Sequence, residues 1–300
     1  MLRFGVDIGG TKIEVAALEG SVVRGRRRVP TPRDDYEGTL RAVAGLVRGL
    51  EAECGAAATV GVGMPGALSP ADGLVMNSNS VWLNGRALAQ DLAAVLPLPL
   101  RFENDANCFA LSEAVDGAAK GARAVFGVIV GTGTGGGVVL DGRVWTGRNA
   151  IAGEWGHNPL PRPGLEEMPG PPCYCGRTGC IETWLSGPGL ARDYGRTTGM
   201  RADPAEIATR AEQGDAGAVA TLARYEDRMA RALAAVVNIF DPDVIVLGGG
   251  LSNLSRLYRN VPLLLPQHVM SEQVTTWVLP AVHGDSSGVR GAAWLWEAKG

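Results

Sequence analysis

Phe4-Gly5-Val6-Asp7-Ile8-Gly9-Gly10-Thr11-Lys12-Ile13-Glu14-Val15-Ala16-Ala17 places two β-rich runs, residues 4–8 and 13–17, on either side of a glycine turn. The same order returns mid-chain. The apolar run 124–130 meets Gly131-Thr132-Gly133-Thr134-Gly135-Gly136-Gly137 and goes on as Val138-Val139-Leu140; the turn pair Asp141-Gly142 and Arg143-Val144-Trp145 then complete a hairpin. One strand, glycine turn and strand unit near the start of each half predicts two related α/β lobes, with the cleft between them as the natural site. A chain of 300 residues suits that division, being too long for one ordinary core.

Around these units, Leu40, Val43, Ala44, Val47 and Leu50 recur at helical spacing and predict a helix over residues 36–53. Residues 59–63 and 100–103 read as strands, the first stopped by Met64-Pro65-Gly66 and the second running into Asn104-Asp105 ahead of a helix over 106–116. Residues 160–180 are rich in Pro, Gly and Cys and read as an irregular loop that needs something other than a core to hold it. A long helix over 216–240 is stopped by Asp241-Pro242; a buried strand over 244–247 ends in Gly248-Gly249-Gly250, and a helix starts at 288. The expected division is a smaller lobe of residues 1–118 plus a C-terminal helix 288–300, and a larger lobe 119–287 carrying the cysteine loop.

With 46% apolar and 20% charged residues, the chain can bury a sizeable interior. A net charge of −3 offers no general attraction to nucleic acid or anionic lipid, and Arg26-Arg27-Arg28 reads as a solvated strand edge. The opening reads as a strand and not as a signal peptide, and no run is apolar enough to span a bilayer; the expectation is a cytoplasmic protein without nucleic-acid or membrane partners.

Gly131, Gly133 and Gly136 satisfy G-x-G-x-x-G, but a dinucleotide fold needs a helix to begin there, and Val138-Val139-Leu140-Asp141-Gly142 reads as strand and turn. A glycine hairpin also binds phosphate, because residues without Cβ let successive backbone N–H groups face one concavity. Thr11, Thr132 and Thr134 add hydroxyl donors, and Asp7 beside the first turn can hold Mg²⁺ through water.

Phosphoryl transfer also needs an acceptor for the hydroxyl proton, and Asp105, at a strand end, supplies a carboxylate for it. Asn104 and Asn107 beside it offer groups for a polyhydroxylated substrate; the competing reading makes Asp105 the N-cap of the following helix. Cys173, Cys175 and Cys180 fall within eight residues, and His157 completes a Cys₃His set suited to structural zinc, which would also fix Glu154. Cys54 and Cys108 read as ordinary buried thiols.

Asp7-Ile8-Gly9-Gly10-Thr11-Lys12, Glu103-Asn104-Asp105-Ala106-Asn107, the glycine run 131–137, Gly153-Glu154-Trp155-Gly156-His157 and the cysteine cluster followed by Glu182 together resemble the ROK family of sugar kinases, in the family's order and over nearly the whole chain. The resemblance implies an actin-like (ribonuclease H-like) two-lobed α/β fold with ATP and Mg²⁺ in the central cleft and Asp105 as base. It implies Asn79, Asn104, Asp105, Glu154, His157 and Glu182 around the sugar, and structural Zn²⁺ on His157, Cys173, Cys175 and Cys180. Nucleotide binding falls to Asp7, Gly9, Gly10, Thr11, Lys12, Gly131, Thr132, Gly133, Thr134, Gly135, Gly248, Gly249 and Gly250, and a homodimer is implied.

Within the family the chain looks closest to the fructokinases and manno(fructo)kinases, on Thr31-Pro32-Arg33-Asp34-Asp35-Tyr36, residues 77–85 and residues 283–291. The expectation is therefore a fructokinase acting on the 6-hydroxyl of fructose, with mannose or glucose next. An N-acetylglucosamine kinase or glucokinase of the same family is the alternative. A sugar-sensing repressor is disfavoured, because the first glycine hairpin begins at residue 7 and leaves no room for a helix-turn-helix ahead of it; a non-catalytic binder would need the base or the phosphate turns broken.

Overall fold

The computed structural model describes residues 1–296; the last residues of the helix expected over 288–300 lie outside the described residues. The chain divides into two compact units. The first holds Met1–Gly121, Gly137–Ala152 and the residues from Val282 on, and the second holds Ala122–Gly136 and Gly153–Ala281.

The first unit is built on β1 (Leu2–Ile8), β2 (Lys12–Glu19), β3 (Val22–Pro30), α1 (Tyr36–Cys54) and β4 (Thr59–Met64). A small ribbon of β5 (Ala67–Leu68) and β6 (Val75–Met76), then α2 (Leu88–Val95), β7 (Leu100–Asn104) and α3 (Asp105–Val115), follow. Its sheet has the order β3-β2-β1-β4-β7, antiparallel across the first three strands and parallel from β1 through β4 to β7. The arginine-rich β3 is an edge strand, mostly exposed, as its composition predicts.

One face of this sheet buries Phe4, Val6, Ile8, Ile13 and Val15 with the predicted stripe of α1, which Asp35 caps by accepting the Gly38 N–H at 2.7 Å. The other face carries the C-terminal helix α9 (Ser287–Trp294), at a separation set by glycine. A Cβ on Gly5 would lie 1.9 Å from the Val289 carbonyl oxygen, and one on Gly61 would lie 1.7 Å from that of Ala292. Cys108 is buried, whereas Cys54, expected inside, is only half-buried, because α1 ends there at the surface.

The second sheet has the order β10-β9-β8-β11-β12, from β8 (Ala124–Val130), β9 (Thr134–Leu140), β10 (Arg143–Val144), β11 (Val244–Gly248) and β12 (Trp277–Pro280). β8, β11 and β12 run parallel, and Val-rich β8 and β11 are buried. The G-x-G-x-x-G run leads into a strand, which excludes the dinucleotide geometry. Gly137 is where the chain joins the first unit: a Cβ there would lie 2.4 Å from the Ala106 carbonyl oxygen, and Asn107 Oδ1 accepts the Val138 N–H at 3.2 Å. The segment 137–152 had been expected in the later lobe.

Around this sheet stand α4 (Ile181–Leu185), α5 (Gly187–Thr198), α6 (Pro204–Glu212), α7 (Ala216–Phe240) and α8 (Leu257–Leu264). α7 is capped by Asp215 and ends at Asp241, which takes a left-handed conformation before Pro242. Residues 160–180 do form an irregular segment, and what holds it is ionic. Glu167 is buried against Arg228 and Arg231 of α7, at 2.7 and 2.9 Å.

Candidate active site

Parallel pairing lines up the ends of β1, β4 and β7. Asp7 lies beside Gly63, Gly63 beside Glu103, and Met64 beside Asn104. These strand ends gather carboxylates. Desolvation, then the charges of Asp105 and Glu14, push the Asp7 carboxyl up to about 7, against the pull of Lys12.

Asp105 is half-buried just past this edge, and the cap of α3 falls to its neighbour: Asn104 Oδ1 accepts from the N–H groups of Ala106 and Asn107 at 2.9 and 3.3 Å, while its Nδ2 donates to the Gly66 carbonyl at 3.0 Å. Asp105 accepts the Ala106 N–H at 2.8 Å through one oxygen. Asn107, expected to face substrate, is 3% exposed and spends its amide on Glu103 and Val138. Glu103 Oε2 in turn accepts the Thr146 hydroxyl at 2.9 Å.

The first glycine turn is closed by the Gly9 N–H on the Lys12 carbonyl at 2.9 Å and steadied from outside. The Thr31 hydroxyl donates to the Gly9 carbonyl at 2.6 Å and Arg33 to that of Gly10 at 3.3 Å. Thr11 is exposed and Lys12 lies 3.5 Å from Glu14. Exposed Asn79 lies between buried Ser78 and Ser80, and the Ser80 hydroxyl faces the Gly10 position at 3.8 Å.

In the second unit, pairing of β8 with β11 brings two more glycine turns together. Gly249, at φ 83°, has no room for a Cβ, which would lie 2.4 Å from the Val130 carbonyl oxygen. The Gly187 N–H, at the start of α5, donates to the Gly131 carbonyl at 2.7 Å. Gly131, Thr132, Gly250 and the α5 residues Gly187, Pro188 and Ala191 line one cavity of about 1710 Å³. That volume exceeds the roughly 300–1,000 Å³ of ordinary small-ligand clefts. Thr134 N–H donates to Glu182 Oε2 at 3.0 Å, whereas the buried Thr134 hydroxyl has no partner among the described residues.

Glu182 stands two residues after Cys180, so the segment that meets the glycine turn continues from the cysteine cluster. Cys175 and Cys180 sulfurs lie 3.6 Å apart, and Cys173 Sγ lies 3.5 Å from His157 Nδ1; all four ligand atoms fall within 4.8 Å of one another. A tetrahedral zinc separates two thiolate sulfurs by about 3.8 Å and sulfur from imidazole nitrogen by about 3.6 Å, so the donor set fits that ion. His157 Nε2 pairs with the Tyr174 hydroxyl at 3.0 Å, an outer contact that fixes the ring. Glu154, three residues before His157, has its carboxyl raised by local desolvation, with His157 opposing and Glu182 reinforcing.

Residues 3–299 match the profile of the ROK family. The chain belongs to the ROK family, among its sugar kinases. A relative from Vibrio cholerae, N-acetyl-D-glucosamine kinase, is 41% identical over 299 residues, covering 98% of this chain and 99% of its own. Among solved structures, the ROK hexokinase of Thermus thermophilus superposes with a TM-score of 0.87 at 32% identity, covering 98% of this chain and 97% of its own. The ROK family glucokinase of Streptomyces griseus, in complex with glucose and AMPPNP, superposes with a TM-score of 0.79 at 28% identity, covering 98% of each chain. The finer resemblance to fructokinases is not confirmed: full-length relatives at 39–41% identity include N-acetyl-D-glucosamine kinases.

The expected sugar and nucleotide residues are divided between the units: Asp7, Gly9–Lys12, Asn79, Asn104 and Asp105 fall in the first and the remainder in the second, whereas the four expected metal ligands all fall in the second. Sequence reasoning missed the α5 wall of the cavity, Arg33, Tyr174 and Glu167. Arg33 falls in the stretch 31–36 that carries the likeness to fructokinases, and Tyr174 sits between Cys173 and Cys175; those positions were their only signals.

Proposed function

We propose that the chain transfers the γ-phosphoryl group of ATP to the 6-hydroxyl of N-acetyl-D-glucosamine. The observation that carries the chemistry is the position of Asp105, directly after β7 at the start of α3 and near enough to Asp7 for its charge to raise that carboxyl. The full-length relatives named for that sugar support the substrate.

In this reading Asp105 accepts the proton of the 6-hydroxyl as the oxygen attacks phosphorus, and Asn79, Glu154 and Glu182 orient the sugar through its hydroxyls, joined by His157 once its Nε2 exchanges the Tyr174 hydroxyl for one of the sugar's. Asn104, committed to the helix and to Gly66, orders Asp105 and offers the sugar at most one N–H. Gly9–Lys12 and the run 131–135 hold the phosphates by backbone N–H groups, and the 248–250 turn lies along the nucleotide. Mg²⁺, when bound with the nucleotide, supplies positive charge against the phosphates, and Asp7 is the residue that holds it through water. Zn²⁺ on His157, Cys173, Cys175 and Cys180 orders the substrate loop and takes no part in the chemistry. We place the protein in the cytoplasm as a homodimer; sedimentation would then give about twice 31.2 kDa.

A coupled assay with ATP and N-acetylglucosamine, fructose, mannose and glucose tests the reading. The highest kcat/KM is expected for N-acetylglucosamine, and a preference for fructose by tenfold or more would reverse the assignment of the sugar.

A further inference from the structure

Arg228 of α7 is 1% exposed, among the largest fully buried side chains described. Its guanidinium reaches three elements at once. Nε donates to Glu167 at 2.7 Å, in the segment between His157 and Cys173; Nη1 meets Asp193 of α5 at 3.0 Å; and the planar group stacks over the ring of Trp184 in α4, at 4.5 Å from its centroid. A buried charge is costly, and one placed where three segments meet fixes all of them at once.

The two carboxylates lead in opposite directions. Glu167 ties down the loop that carries the cysteine cluster, with Arg231 bonded to the Pro161 and Arg162 carbonyls at 3.0 and 2.9 Å alongside. Asp193 belongs to α5, whose Gly187, Pro188 and Ala191 form a wall of the cavity. Neither carboxylate depends on Arg228 alone: Glu167 keeps Arg231, and Asp193 keeps Arg196 and Arg224 at 3.0 and 2.9 Å.

We propose that Arg228 is a positioning residue that couples the metal loop to the nucleotide-binding wall, so that metal on the cysteine cluster tightens nucleotide binding through the Glu167–Arg228–Asp193 bridge. The inference rests on the functional reading above, which sets the nucleotide against the 131–135 and 248–250 turns, whose Gly131, Thr132 and Gly250 line this cavity. With the ion bound, the loop and Glu167 have one position; Arg228 passes it to α5 as a fixed charge pair. A purely structural ion pair would lower stability when cut and leave the linkage between metal and nucleotide intact.

The test is calorimetric titration of a non-hydrolysable ATP analogue with Mg²⁺ into the full chain, zinc-loaded and zinc-stripped, for wild type, Arg228→Met and Asp193→Asn. In wild type, stripping is expected to weaken analogue affinity about fivefold or more. In Arg228→Met, which leaves Arg231 on Glu167 and Arg196 and Arg224 on Asp193, and in Asp193→Asn, which leaves Arg228 on Glu167, the zinc-loaded and stripped affinities are expected to agree within about twofold. If Arg228→Met fails to fold, Asp193→Asn, an isosteric change at the far end of the bridge, decides alone. Equal losses in wild type and variants, or no loss in wild type, would overturn the coupling while leaving the kinase reading in place. A wild-type chain that takes up no analogue overturns both.

Discussion

At the end of β7, Asn104 and Asp105 both meet the start of α3: Asn104 caps it on the Ala106 and Asn107 N–H groups, and one Asp105 oxygen shares the Ala106 N–H. Position alone fits Asp105 to a cap as well as to a base, since β7 reads Leu100-Arg101-Phe102-Glu103-Asn104, and the base role follows from the resemblance; which neighbour caps was not legible either, because Asn and Asp cap about equally well. Asp7 carries a second consequence. Its carboxyl, raised to about 7, stays protonated in the folded chain where the unfolded chain has ionised near pH 4. The folded state then binds the extra proton, so stability falls as pH rises from about 4 to 7, by at most about 1.4 kcal/mol per pH unit. In Mg²⁺-free buffer, Asp7→Asn should flatten that slope in urea melts at pH 5 and pH 7.5; an unchanged slope would mean Asp7 titrates normally.

Among the elements, α1, α7 and the strand, glycine turn, strand units were legible because their periods are strong, whereas short, polar α5 and α6 announce nothing of the cavity they line. Nor does any local pattern join Glu167 to α7; ion pairs between distant segments leave no spacing to read. Desolvation opposes Glu167, but the bonds from Arg231, Arg228 and the Gly164 N–H bring its carboxyl down to about 2. Its contribution is therefore present above the unfolded value near 4.5 and lost as pH falls toward 2. Glu167→Gln should cost on the order of 3 kcal/mol at pH 7, measured by denaturant unfolding, and less at pH 3. Gly61→Ala drives a methyl into the α9 backbone and should destabilise by at least about 2 kcal/mol; a wild-type melting temperature would show that α9 packs elsewhere.

For the molecule as a whole, the two-unit plan was legible from one repeated unit, but the assignment of 137–152 was not, because it turns on Gly137 meeting the α3 backbone. Substrate identity was the least legible. Close substrates in a polar pocket can be separated by a single hydrogen bond, which no motif spacing records. Chelation of the cysteine cluster should weaken sugar affinity more than nucleotide affinity, because the proposed site gives His157 a part in both the ligand set and the sugar contacts; equal weakening in paired calorimetric titrations would count against that double role.

The most direct measurement is turnover of Asp105→Ala with ATP, Mg²⁺ and N-acetylglucosamine, alongside calorimetric sugar binding by the same variant. Turnover should fall by about 10²–10⁴ while sugar affinity stays within about threefold of wild type. Turnover within tenfold of wild type, with sugar bound normally, would remove Asp105 from the reaction.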